Sequence, residues 1–175
     1  MIKKRITQLN TFPLKRIYWL SYIIIGLILL ATALYFQHML EELPCLICIQ
    51  IRLLISLLII VSIAGLLLRH SRWLALVHLS VAAIAIAMVE RSYMLLGTER
   101  GFVFADCGFE LGLPAWLPLE QVLPWLYRVE TSCGYTPELI FGITMAEALM
   151  VMSVLFLLIS FGLVLASFLR LLTSD

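Results

Sequence analysis

Residues 43–68 read LPCLICIQIRLLISLLIIVSIAGLLL. Cys45 and Cys48 stand at the mouth of an apolar run interrupted only by Gln50 and Arg52, and that run is longer than the roughly 20 residues needed to cross a bilayer. It reads as a membrane-spanning helix with a redox pair at its start, because two thiols separated by two residues can close on each other or pass a disulfide along. Pro44 suits the first helical position, where a missing N–H costs nothing, and this places both cysteines in the first turn. The partial charge and free amides of a helix N-terminus favour a thiolate there. Arg52, four residues after Cys48 and on its face of the helix, adds a fixed cation about 6 Å further in. A cation at that depth in lipid needs a partner, such as a ligand carbonyl or a buried carboxylate, unless it snorkels back to the interface.

The rest of the chain has the same apolar character. Of its 175 residues 63% are hydrophobic and the mean hydropathy is +1.07, against roughly 45–50% apolar residues in soluble domains. The formal net charge of +1 offers no field for nucleic acid, and the charges fall in short clusters between apolar runs. An all-α membrane protein follows: one domain over 1–175, with spans at about 17–36, 45–68, 73–90 and 139–169 and loops at about 37–44 and 91–138. Ala31-Thr32-Ala33 imitates a signal-peptide cleavage site. The run around it exceeds the 7–15 residues of a signal core, and three more spans follow, so segment one is expected to stay.

Four spans put both termini on one side. Lys3, Lys4, Arg5, Lys15, Arg16, Arg69, Arg72 and Arg170 flank that side, whereas the other two loops hold Arg100 and Arg128 among Glu41, Glu42, Glu99, Asp106, Glu110, Glu120, Glu130 and Glu138. The positive-inside rule then makes both termini cytoplasmic. All four cysteines, Cys107 and Cys133 in the long loop included, face the oxidising side. Glycines and prolines from Gly97 to Pro137 rule out another span in that loop. Its stretch 113–128 carries Trp116, Trp125 and Tyr127, residues that favour headgroup depth, and reads as a short amphipathic helix on the membrane surface. A loop folded on its own small core is the alternative.

Zinc does not suit these cysteines, since only one pair has close spacing and Cys107 and Cys133 stand apart. Nor do His38, His70 and His78 suit haem, because the first lies at the opposite membrane face from the others. Glu147, two turns inside the fourth span, is a candidate counter-ion for Arg52 or a proton carrier. A neutral acid hydrogen-bonded to a neighbouring helix is its bland reading.

The ordered combination of four spans, Cys-x-x-Cys with an arginine four residues on, and a long loop with two separated cysteines resembles the DsbB family of disulfide-generating membrane proteins. The stretches Phe36-Gln37-His38, Phe104-Ala105-Asp106-Cys107-Gly108-Phe109, Pro114-Ala115-Trp116-Leu117-Pro118-Leu119, Ser132-Cys133 and Phe141-Gly142 carry the same resemblance. It implies a bacterial inner-membrane oxidoreductase that reoxidises a periplasmic thioredoxin-like oxidase of the DsbA type. It also implies that Cys107 and Cys133 form the disulfide offered to that partner, with Cys107 attacked. Released Cys133 would then attack Cys45, and Cys48 would face a ubiquinone or menaquinone polarised by Arg52. One departure is the absence of a histidine some dozen residues before the third cysteine, where this chain reads Ser92-Tyr93-Met94-Leu95-Leu96-Gly97.

Three other readings compete. A membrane scaffold whose two disulfides tie its loops would explain the cysteines but not Arg52 beside them. A specialised paralogue serving one dedicated partner shares the relay. A vitamin K reductase-like protein would share the bundle but fits the two-cysteine loop less well.

Overall fold

The computed structural model describes residues 16–68, 73–104, 108, 111–113, 118–140 and 142–173, with the side chains of 140 and 166–173 left undescribed. Four helices are long and apolar enough to cross a membrane: α1 (Arg16–Met39), α2 (Leu46–Leu68), α3 (Leu74–Glu99) and α6 (Met145–Thr173). Between α3 and α6 lie two single turns, α4 (Leu119–Val122) and α5 (Pro124–Tyr127), then a two-stranded antiparallel hairpin of β1 (Glu138–Ile140) and β2 (Ile143–Thr144). In the bundle α1 packs on α2, α2 on α3 and α3 on α6.

Lipid gives helices no hydrophobic reason to associate, so close packing around small residues must hold them. Trp19 is fully buried on Gly65, where an added Cβ would lie 2.4–2.6 Å from the indole ring; one at Gly26 would lie 2.7 Å from Ile59. Tyr18, Trp19, Tyr22, Val81, Met88 and Phe156 continue this core toward α3 and α6. A second cluster at the cysteine end packs Leu111, Leu126, Tyr127 and Val129 of the long loop on Leu46 and Ile49 of α2.

Several helix ends differ from the apolar runs, for local reasons. α3 continues past Glu90 and Arg91 to Glu99, because charged side chains that reach water do not break a helix. Glycine ends it instead. Arg100 N–H donates to the Leu96 carbonyl, Phe102 and Val103 N–H donate to the Gly97 carbonyl, and Gly101 adopts φ +76°, the usual left-handed helix stop. α6 opens at a reciprocal capping box, in which Glu147 N–H donates to Thr144 Oγ1 (3.3 Å) and Thr144 N–H donates to Glu147 Oε2 (3.2 Å).

Among the described residues of the stretch 113–128, where a surface helix is expected, there are two four-residue turns broken at Leu123, where Pro124 starts a new helix. Trp125 is exposed and Trp116 lies outside the described residues. Tyr127 is buried, and its hydroxyl donates to Ser56 Oγ on α2 (2.7 Å). The hydroxyl finds its polar partner inside the bundle, which draws the ring inward.

Candidate functional site

The start of α2 differs by one residue from the sequence expectation. The Cys45 carbonyl accepts the first helical bond from Ile49 N–H (3.0 Å), and its Sγ accepts the Cys48 N–H (3.3 Å). Cys45 thus occupies the cap position, with its sulfur in the role a serine oxygen usually plays. Pro44 lies before the cap and not at the first helical position. Its carbonyl is engaged elsewhere, accepting from both Glu130 N–H (3.0 Å) and Thr131 N–H (3.3 Å), and a parallel bridge joins Cys45 to Thr131.

This geometry places a helix amide on the Cys45 sulfur. Cys45 precedes the membrane-spanning segment, and its thiol is drawn below the ordinary thiol range. The largest cause is the hydrogen bond from the Cys48 thiol; burial works against it, and amide hydrogen bonds help it. The two sulfurs are 2.7 Å apart, within easy reach of a bond of about 2.05 Å.

Arg52 is 6% exposed and does not snorkel. Nη1 donates to Gln37 Oε1 (2.5 Å) and to the Leu126 carbonyl (3.3 Å), and Nη2 donates to the Ala33 carbonyl (3.2 Å). Its partners are therefore one amide and two main-chain oxygens, from α1 and α5. Glu147, the counter-ion suggested by depth alone, is not among them. It is paired with Arg100 and fixed by the capping box, because the hairpin and the α3 terminus meet at that point.

Cys48, half-buried, and Arg52 open onto one cavity of about 100 Å³. Leu29, Thr32 and Ala33 of α1, Ile51 and Ile55 of α2, and Met145, Ala148, Leu149 and Met152 of α6 complete most of its wall. Glu147 is not part of that wall. A smaller cleft of about 30 Å³ abuts it and shares Ala33, Cys48, Arg52 and Met145.

Cys133 is half-buried and disulfide-bonded, and it packs against the cluster that contains Cys45. Cys107 lies outside the described residues. Thr136, three residues past Cys133, donates its hydroxyl to Glu99 at the end of α3 and anchors that segment to the bundle. Of the six residues singled out from the sequence, the structure brings Cys45, Cys48 and Arg52 together, sets Cys133 against the same core and holds Glu147 apart.

Sequence reasoning missed Gln37, although an amide in the last turn of an apolar span is itself a signal of an internal partner. It also missed the carbonyls of Ala33, Pro44 and Leu126, which no side chain announces.

The family model described as disulfide bond formation protein DsbB matches residues 15–163. Among curated proteins the chain is 31% identical over 134 residues to disulfide bond formation protein B 2 of Pseudomonas aeruginosa, covering 75% of this chain and 79% of the relative. It is 28% identical to disulfide bond formation protein B of Vibrio parahaemolyticus, over 83% of both chains. The corresponding protein of Pseudoalteromonas translucida is 29% identical, over 85% of this chain and 88% of the relative.

Proposed function

The chain belongs to the DsbB family and is a disulfide-forming oxidoreductase that spans the bacterial inner membrane several times, and from that premise we propose that it reoxidises a soluble periplasmic dithiol oxidase of the DsbA type and delivers the electrons to ubiquinone or menaquinone. The observation that carries this reading is one apolar cavity with Cys48 and the buried Arg52 among its lining residues. A flat, largely apolar ring with carbonyl acceptors fits that lining, which offers hydrocarbon contact, one cationic donor and one sulfur.

The relay balances as two disulfide exchanges and one oxidation. A partner thiolate attacks Cys107 of the Cys107–Cys133 disulfide, and Cys133 leaves as a thiolate. The partner's second thiol displaces Cys107 and completes the partner's disulfide. Cys133 then attacks Cys45 of the Cys45–Cys48 disulfide and frees Cys48. When Cys107 displaces Cys45, the loop disulfide is restored and Cys45 and Cys48 remain as a dithiol. A quinone in the cavity supplies the acceptor for the two electrons and two protons released as the Cys45–Cys48 disulfide re-forms.

The chain's own residues prepare that step. The Cys45 sulfur, capped by an amide and bonded by its neighbour, carries the thiolate that closes on Cys48. Arg52 donates to an oxygen in the cavity and stabilises negative charge there, in a dry site where such stabilisation is strong. Glu147 fixes the first turn of α6, from which Met145 and Ala148 meet the cavity. The basic flanks of the termini support placing both in the cytoplasm and the cysteine end in the periplasm. A scaffold with two loop-tying disulfides does not account for a buried cation beside Cys45 and Cys48.

The test is quinone consumption by purified protein given reduced thioredoxin-like partner. Turnover is expected in the unaltered chain and its abolition in Cys48→Ser; unchanged quinone reduction in Cys48→Ser would sink the relay.

A further inference from the structure

Arg52 is a buried cation held without a carboxylate. Among the described residues the ion pairs are Glu90–Arg91 and Arg100–Glu147. The carboxylate whose charge reaches Arg52, that of Glu130, belongs to an exposed residue. A buried arginine is ordinarily matched by an acid, because an uncompensated charge is costly away from water. Here the compensation comes from neutral oxygens: Gln37 Oε1, the Ala33 carbonyl and the Leu126 carbonyl.

The distinction matters for what Arg52 can do. A carboxylate would fix the guanidinium and also cancel its field, whereas an amide oxygen fixes it and leaves the positive charge to act on its surroundings. Gln37 is 9% exposed and lies one helical turn beyond Ala33, so both α1 contacts to the guanidinium come from one face of that helix. Ala33 borders the cavity and Gln37 does not, which makes Gln37 a residue that acts through Arg52.

We propose that Gln37 is a positioning residue for the quinone site, holding the Arg52 guanidinium at the cavity wall with a neutral acceptor so that its full positive charge serves the anion formed there. The inference rests on the quinone reading above and specifies how that site keeps its charge. It makes glutamine, and not the isosteric glutamate, the residue the reaction requires at 37.

The experiment uses the full-length protein in detergent with short-chain ubiquinone as probe, comparing Gln37→Glu, which keeps size and acceptor but adds charge, with Gln37→Met, which keeps length but removes the acceptor. Three readouts are taken: equilibrium dialysis of ubiquinone, the alkylation rate of Cys48 in reduced, quinone-free protein, and the rate of mixed-disulfide formation with the partner. Gln37→Glu is expected to keep the thermal stability and mixed-disulfide rate of the unaltered chain while weakening ubiquinone binding and slowing Cys48 alkylation, each by about tenfold. Gln37→Met weakens ubiquinone binding too, because Arg52 loses its side-chain anchor.

Unaltered ubiquinone affinity and alkylation in Gln37→Glu overturn the proposal. If Gln37→Glu does not fold, unaltered affinity in Gln37→Met overturns it equally. Should the unaltered chain bind no ubiquinone while Gln37→Glu still slows alkylation, the quinone reading fails and the positioning of Arg52 by Gln37 stands.

Discussion

The two ends of the bundle are made from the same helices and similar apolar residues, yet one is sealed and the other hollow. At the end away from the cysteines, Trp19 fills the notch at Gly65, Tyr18 and Tyr22 meet edge to face at 5.0 Å, and Tyr22 reaches α6 through Phe156 and Ser160. At the cysteine end the facing residues of α1 and α6 are small or flexible, among them Thr32, Ala33, Met145, Ala148 and Met152, and a cavity of about 100 Å³ is left between them. Large rings matched to glycine notches make a lock, while small and unbranched side chains leave room for a guest. Stability and chemistry are therefore expected to respond to different substitutions.

The largest effect should come from Arg52→Ala. It removes the cation from the hollow end and strands the acceptors that held it, and apparent quinone affinity should fall by about 10- to 150-fold, since a bond to a charged group contributes about 1.5–3 kcal/mol. The bundle should still fold, because its lock lies elsewhere. Steady-state KM and a thermal melt separate the two outcomes, and unchanged KM would return Arg52 to a merely structural part.

Next in size, Gly65→Val drives a branched side chain into the Trp19 ring at the sealed end. Overpacking of this kind costs about 1–3 kcal/mol or more, read as a lower melting temperature in detergent with little change in quinone affinity for the folded fraction. A collapse of quinone affinity with no loss of stability would dissolve the division between the ends.

A smaller loss is expected from Tyr127→Phe. Removing its hydrogen bond to Ser56 should cost about 0.5–1.5 kcal/mol and loosen the long loop, visible as faster proteolysis between Leu119 and Val129 while the four long helices stay protected. Uniform protection across the chain would show that the loop is not held at this point.

The gentlest test is a titration. With the Cys45 thiol drawn down, alkylation of reduced protein should accelerate at a pH below the roughly 8.5 of an ordinary thiol. Because the Cys48 thiol is the chief cause, Cys48→Ala should move the Cys45 midpoint upward. A midpoint that stays put would assign the effect to the helix amides.

Hydropathy alone placed the four long helices, because a bilayer demands unbroken apolar runs. It misplaced the end of the third, since Glu90 and Arg91 look like a boundary while the stop is made by Gly97 and Gly101. The Cys-x-x-Cys pair and Arg52 were legible from spacing within a single helix, where sequence distance fixes spatial distance. The partner of Arg52 was not, because Gln37 and Leu126 reach it from other elements and two of its three acceptors are peptide oxygens. Depth along a span made Glu147 look suitable, but depth carries no information about which face of the bundle a residue occupies. A local Thr144-x-x-Glu147 capping signal pointed to its actual use.

The Pro44 carbonyl receives two N–H groups from the chain just ahead of Cys133. From Thr131 to Cys133 is two residues, a tether that extends to about 7 Å at most. In the proposed relay, a sulfur leashed so closely to the start of α2 would approach Cys45 as a local reactant, at an effective concentration set by the leash. Dilution does not weaken such an encounter, and passing thiols compete with it poorly. One peptide oxygen would thus give the proposed internal exchange its privacy.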